Sequence, residues 1–273
     1  MINFSCPVCS EILSRDNNTM KCSNGHSYDI SKRGYINLLM SQKRHDRQHG
    51  DDKIMVRARR NFLENNYYSG LRQAVAQTVC ELSSPGSIIF DAGCGECYYT
   101  EYIHRQLDNK KTDHSIFAVD ISKNALDLSG KRCQDINRAV ASVFNIPMSD
   151  NSCDILLSIF APYCGEEFLR VLKPNGFFIQ VIPLEDHLFE LKKAVYERPY
   201  KNEVAKYSLD GFTFVREQQV RGKTDIGCNE DIKNLFMMTP YFYKTSTSDF
   251  HKLDQIDKMT VETEFAVLLY KKI

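Results

Sequence analysis

Apolar residues along this chain recur in two rhythms, and their alternation predicts the architecture. From Asp51 to Glu64 they fall on a helical period, and the stripe continues through Phe62, Leu63, Tyr67, Tyr68, Leu71, Val75, Ala76 and Val79 up to Pro85-Gly86. The short run Ile88, Ile89 and Phe90 then ends in Asp91, a turn carries Gly93 and Gly95, and a helical pattern opens at Tyr98 and runs to about Leu107. Ser115 to Asp120 is a second strand, and the polar stretch Asp108 to His114 before it is expected to be a loop. A helix over Ser122 to Arg132 leads to a strand over Ala139 to Phe144 and a turn at Asn145-Ile146-Pro147. The continuous apolar run Asp154 to Phe160 predicts a strand buried on both faces, as in a parallel sheet. Leu172-Lys173-Pro174-Asn175-Gly176 turns into a strand over Phe177 to Ile182, and a helix begins near His187. Phe212 to Val220 and Phe265 to Tyr270 read as the last strands, with the helical stripe Ile232, Leu235, Phe236 and Met237 between them. Strands alternating with helices predict an α/β fold around a largely parallel sheet.

The first 42 residues have a different character. Cys6-Pro7-Val8-Cys9 is a C-x2-C knuckle, and Cys22 and His26 follow as C-x3-H after twelve intervening residues. Three thiolates and one imidazole at this spacing match a closed tetrahedral zinc site. A closed set leaves no open position for catalysis, so the ion is expected to be structural. Redox use of C-x2-C would need a thioredoxin-like context, which is missing. Phe4, Tyr28, Ile30, Tyr35, Ile36, Leu38 and Leu39 are expected to pack around this ribbon, with stacking on nucleic-acid bases as the other use of the aromatic ones. The expected division is a zinc-binding domain over 1–42, a basic linker and helix over 43–70, and an α/β domain over 71–273.

The turn at 91–97 sets the chemistry. Its glycines permit close approach of backbone to a ligand, and the helix after it presents free N–H groups. The third glycine of a dinucleotide fingerprint would fall at Tyr98, and the G-K-[ST] of a phosphate loop is absent. D-x-G-x-G-x-C is instead close to the E/D-x-G-x-G-x-G loop of S-adenosylmethionine-dependent methyltransferases, with Cys97 in place of the last glycine. In that reading Asp91 faces the methionine ammonium, Gly93 and Gly95 let the chain pass under the ligand, and Asp120 accepts hydrogen bonds from ribose hydroxyls. The plainer alternative is a strand–loop–helix corner with two turn glycines.

Composition narrows the partners. The chain has 273 residues, 42% hydrophobic and 26% charged, with a formal net charge of zero. No global field draws it to nucleic acid, so any such contact must be local. The one strongly basic stretch is Lys43-Arg44-His45-Asp46-Arg47-Gln48-His49 with Lys53, Arg57, Arg59 and Arg60, which suits either phosphate contacts or a solvated face. No apolar run reaches membrane-spanning length, the N-terminus lacks a leader pattern, and the ten cysteines are too dispersed for a disulfide framework. A cytoplasmic location is expected.

Several segments together resemble the bacterial 23S rRNA (guanine-N1-)-methyltransferases: F-S-C-P-V-C at Phe4, the Cys22/His26 pair, G-Y-I-N-L-L at Gly34, A-R-R-x-F-L at Ala58, D-A-G-C-G-E-C-Y-Y-T at Asp91, F-A-P at Phe160, L-K-P-N-G at Leu172 and M-T-P at Met238. The resemblance runs in order over nearly the whole chain. It implies a class I Rossmann-like methyltransferase sheet with a small N-terminal zinc ribbon. It also implies structural zinc on Cys6, Cys9, Cys22 and His26, S-adenosylmethionine bound by Tyr68, Gly95, Glu96 and His187, and a homodimer gripping a 23S rRNA hairpin. The expected reaction is methylation of guanine N1. The target edge must leave its pair or stack, so aromatic residues at the exit of the fourth strand, Phe160 and Tyr163, are candidates to stack on it. No residue identifies itself as the general base. Two other classes compete: a small-molecule methyltransferase with a zinc ribbon, and an RNA-binding protein with a degenerate cofactor loop.

Overall fold

The computed structural model describes residues 3–40, 50–130, 132–133, 135–204 and 206–273. The basic run Lys43 to His49 lies outside the described residues. The chain opens with a three-stranded antiparallel ribbon, β1 (Ser14–Asp16), β2 (Thr19–Lys21) and β3 (Ser27–Asp29), and then β4 (Tyr35–Asn37). Two helices follow, α1 (Lys53–Glu64) and α2 (Ser69–Leu82). The alternating part is β5 (Ser87–Ala92), α3 (Tyr98–Asn109), β6 (His114–Asp120), α4 (Lys123–Ser129), β7 (Asn137–Val140), β8 (Cys153–Ile159), α5 (Gly165–Val171) and β9 (Leu172–Pro183). It closes with α6 (Phe189–Val195), β10 (Phe212–Ile226), α7 (Asn229–Met237), the short α8 (Thr247–Phe250) and β11 (Met259–Lys272).

Eight strands form one sheet in the order β10-β11-β9-β8-β5-β6-β7-β4. The pairs from β4 to β9 are parallel, and β11 lies antiparallel to both β9 and β10. β5 sits at the centre because both its faces are apolar, with Ile89 and Phe90 fully buried on opposite sides. One face is covered by α1, α2, α3, α4, α6 and α7, the other by the N-terminal segment and α5.

The N-terminal segment is tied to the sheet more closely than a separate ribbon would be. β4 is its edge strand, in register Tyr35↔Arg138 to Asn37↔Val140 on β7. Phe4, Ile36 and Leu38 pack under the sheet with Phe90, Phe117 and Val119, and the Phe4 ring meets Phe117 edge-on at 5.2 Å. The Tyr35 hydroxyl donates to Asp127 Oδ1 at 2.7 Å. These residues bury apolar area at the joint, where the sequence places them around the ribbon alone.

Other boundaries also differ from expectation. The stripe from Phe62 to Val79 is two helices, not one. The chain breaks at Asn65-Asn66, where Asn66 takes a left-handed φ of 61° that asparagine tolerates. The Asn65 side chain and Tyr67 hydroxyl both bond Asp231 of α7, which fixes the corner. α3 extends to Asn109, so the expected loop before β6 shrinks to residues 110–113. β7 ends at Val140, short of Phe144. β10 and β11 pair from Phe212↔Lys272 to Ile226↔Met259, well beyond the expected strands.

Candidate active site and metal centre

The metal centre is local in sequence and in space. His26 Nδ1 lies 3.5, 3.4 and 3.3 Å from the sulfurs of Cys6, Cys9 and Cys22, and the Cys9 and Cys22 sulfurs are 3.7 Å apart. A tetrahedral zinc at about 2.3 Å from sulfur and about 2.0 Å from nitrogen holds its ligands about 3.5–3.8 Å apart. The four side chains therefore already converge on a zinc-sized space. Burial opposes ionisation of Cys6, but the Tyr28 hydroxyl at 3.1 Å and the Val8 and Cys9 amides outweigh it and lower its pKa to about 6. A thiolate is the form that binds zinc.

The second centre is a cavity of about 680 Å³ at the C-terminal ends of β5, β6, β7 and β8, where ligands bind in open α/β sheets. Tyr68, Asp91, Gly93, Gly95, Glu96, Asp120 and His187 all line it. Gly93 has a φ of 86°, and a Cβ there would sit 2.4 Å from the Ala161 Cβ, so only glycine lets the turn pass under the β8 exit. Gly95 donates its N–H to Asp120 Oδ2 at 2.8 Å, and Ser122 donates its N–H to Asp120 Oδ1 at 2.7 Å. Cys97 adopts the left-handed conformation, φ 64°, at the N-cap of α3, with its side chain buried. The helix continues regardless, since Glu101 N–H reaches Cys97 O at 3.0 Å. The missing third glycine thus costs about 1–2 kcal/mol of backbone strain rather than the turn.

Three carboxylates face this cavity, Asp91 and Glu96 from buried positions and Asp120 from a half-buried one. Asp91 Oδ2 accepts from the Thr100 hydroxyl at 2.6 Å, while Oδ1 has no partner. Glu96 has no hydrogen bond to either oxygen; Arg60 and Arg132 stand off at 3.6 and 3.8 Å. Burial pushes the Asp91 and Glu96 carboxyls up to about 7 and Asp120 to about 6, against the hydrogen bonds and arginines that pull them down. Buried acceptors without donors are costly, and a bound cation or hydroxyl would satisfy them. Burial also depresses His187 to about 3, so its ring is neutral. The Glu264 amide donates to His187 Nδ1 at 3.2 Å, so the ring proton lies on Nε2, which faces the Tyr68 hydroxyl at 3.5 Å.

The two aromatic candidates separate. Phe160 lines the rim, half exposed, with a φ of 56° that turns its ring outward beside Phe265. Tyr163 does not line the cavity. Its ring stacks on Phe178 at 5.9 Å and meets Phe168 edge-on at 5.5 Å, packing half-buried against the core of the opposite face. The α1 cations separate too. Arg59 is ion-paired with Asp51, and Arg60 donates to Leu128 O at 3.1 Å beside Glu96, so both are used internally. Lys53 and Arg57 remain exposed. α1 and the residue before its cap also supply a wall that the spacing of the motifs did not signal: Asp51 from before the helix and Met55, Arg59 and Leu63 on it line the cavity.

Comparison with known proteins agrees with both centres. A zinc-ribbon family model described as "RlmA, N-terminal" matches residues 4–47, and one described as "Methyltransferase domain" matches residues 90–180. The chain is 30% identical to the 23S rRNA (guanine(748)-N(1))-methyltransferase of Streptomyces fradiae, over 70% of this chain and 66% of that protein. It is 32% identical to a "Putative 23S rRNA (guanine-N(1)-)-methyltransferase" of Micromonospora griseorubida, over 69% of this chain and 68% of that one. A relative in Bacillus subtilis with the same kind of name is 30% identical over 74% of this chain and 73% of its own length. With a matching zinc ribbon, a matching methyltransferase domain and relatives aligned over about two thirds of both lengths, the chain belongs to the 23S rRNA (guanine-N1-)-methyltransferase family.

Proposed function

We propose that the protein methylates N1 of a guanine in a 23S rRNA hairpin, acting as a homodimer, with S-adenosylmethionine held in the 680 Å³ cavity. The observation that carries this reading is the buried, unpartnered Oδ1 of Asp91 beside the Gly93 turn, in a chain of this family. Asp91 is placed to accept from the methionine ammonium, and Asp120, fixed by the Gly95 and Ser122 amides, to accept from the ribose. With its Nε2 proton directed at Tyr68, His187 leaves the Tyr68 hydroxyl free to donate into the cavity. Glu96 completes the polar lining. The zinc on Cys6, Cys9, Cys22 and His26 is structural, because all four positions are protein ligands.

When bound, S-adenosylmethionine supplies a methyl group already activated by its cationic sulfur, so positioning carries most of the rate. Phe160 is the rim residue placed to stack on a guanine turned out of its helix. Guanine N1 must lose its proton to accept a methyl, and the cavity wall presents carboxylates for that role, since the Nδ1 lone pair of the neutral His187 ring is taken by the Glu264 amide.

The test is transfer of labelled methyl from S-adenosylmethionine to unmodified 23S rRNA, mapped by primer extension, since a methyl on N1 blocks pairing. A single stop at a hairpin guanine is the expected result. Cofactor binding without incorporation into rRNA would defeat the proposal and favour a small-molecule acceptor.

A further inference from the structure

Gly50 and Asp51, the residues just before the N-cap of α1, dock against the cofactor cavity. Gly50 has a φ of 77°, and a Cβ there would lie 2.7 Å from Ile121 Cγ2 and 3.2 Å from the Ser122 backbone nitrogen. The Ser122 hydroxyl donates to Asp51 O at 2.8 Å. Both contacts are to the loop leaving β6, which also presents Asp120. The Asp51 carboxylate is held by Arg59 through Oδ2, and no hydrogen bond engages its Oδ1 among the described residues. Asp51 and Asp120 line the same cavity, and the Asp51 charge is among the influences that raise the Asp120 carboxyl.

We propose that Asp51 is a second ribose-binding carboxylate, so that the vicinal diol of the cofactor is shared between Asp120 from β6 and Asp51 from the segment before α1. The assignment rests on the reading of the cavity as an S-adenosylmethionine site. Asp120 is half-buried and already accepts two backbone N–H groups. One donor per carboxylate suits the diol better than two donors crowding Asp120. Two acids facing one cavity repel each other, and hydroxyl donors between them relieve that cost. The Arg59 guanidinium fixes the Asp51 rotamer without reaching across to Asp120, whose own partners are amides. The unpartnered, fully buried Asp91 Oδ1 in the same cavity shows independently that this lining is made for a ligand carrying hydrogen-bond donors. Asp52, not Asp51, caps α1 by accepting from the Met55 amide at 2.8 Å, so changing Asp51 spares the helix start.

The test measures binding of S-adenosylhomocysteine and of its 2′-deoxy and 3′-deoxy analogues to the full chain by calorimetry. Asp51→Ala should weaken S-adenosylhomocysteine about tenfold, the size expected for one hydrogen bond to a charged group. It should also abolish the wild-type discrimination against one deoxy analogue while keeping discrimination against the other. Asp51→Asn, which keeps the shape, should show a smaller loss with the same pattern. Unchanged affinity in Asp51→Ala, or weaker binding with both discriminations intact, would overturn the assignment. So would normal S-adenosylhomocysteine binding with turnover on rRNA lost, which would move Asp51 to the guanine. Wild-type protein that does not bind S-adenosylhomocysteine would instead defeat the cofactor reading itself.

Discussion

At the residue scale, the cavity is a set of buried and half-buried carboxyls held above their usual range. Asp91 and Glu96 lie near 7 and Asp120 near 6, mainly because burial disfavours their charge. A carboxyl with a raised folded-state pKa contributes stability that is present below its unfolded pKa and lost as pH rises through the folded one. The free protein should therefore lose stability between about pH 4 and pH 8 on account of these groups. A ligand ammonium favours ionised Asp91, so binding should release a proton and strengthen as pH rises from 6 to 8. Calorimetric melting with and without S-adenosylhomocysteine checks the sign: the ligand-induced rise in Tm should be larger at pH 8 than at pH 5.5, and the reverse order would sink the argument. Phe160 gives a second test at this scale. One base–aromatic stack is worth about 1–3 kcal/mol, so Phe160→Ala should lower kcat/KM on rRNA by roughly 10- to 100-fold. S-adenosylhomocysteine affinity should not move; unchanged turnover would remove Phe160 from the guanine site.

At the element scale, the zinc module contributes a strand, and this sets what metal loss can do. A ribbon of three-residue strands has too little core to stand without its ion. Chelation, or Cys9→Ser, should loosen residues 3–40 and release β4 from β7, read as faster proteolysis of the N-terminal segment. The cavity is built on β5, β6 and β8 and on α1, so S-adenosylhomocysteine affinity should stay within about threefold. Complete loss of binding on chelation would show that β4 holds the cavity as well. The helical stripe before β5 illustrates what periodicity misses: Asn65 and Asn66 interrupt it because Asp231, about 165 positions away, captures the corner.

At the scale of the whole molecule, a formally neutral chain must meet RNA through a local patch. On α1 the exposed cations are Lys53 and Arg57, since Arg59 and Arg60 are committed to Asp51, Leu128 O and the Glu96 side. Lys53→Glu with Arg57→Glu should weaken rRNA binding and reduce its salt slope by roughly one per lost phosphate contact, leaving S-adenosylhomocysteine binding unchanged. An unaltered salt dependence in filter binding would place the RNA face elsewhere. What the sequence determined by itself was local: four zinc ligands on two tight turns, and a strand–glycine–helix unit whose Asp91, Gly93 and Gly95 fall within five consecutive residues. Seven cofactor candidates, drawn from the loop chemistry and from the family resemblance, all line one cavity. The tertiary structure decided the rest, because it turned on contacts between distant residues. It drew β4 into the main sheet and Tyr163 against the core beside Phe178, and it paired Arg59 with Asp51 and set Arg60 beside Glu96. Hydrophobic period and motif spacing report which residues share a face, and only packing decides which face meets which.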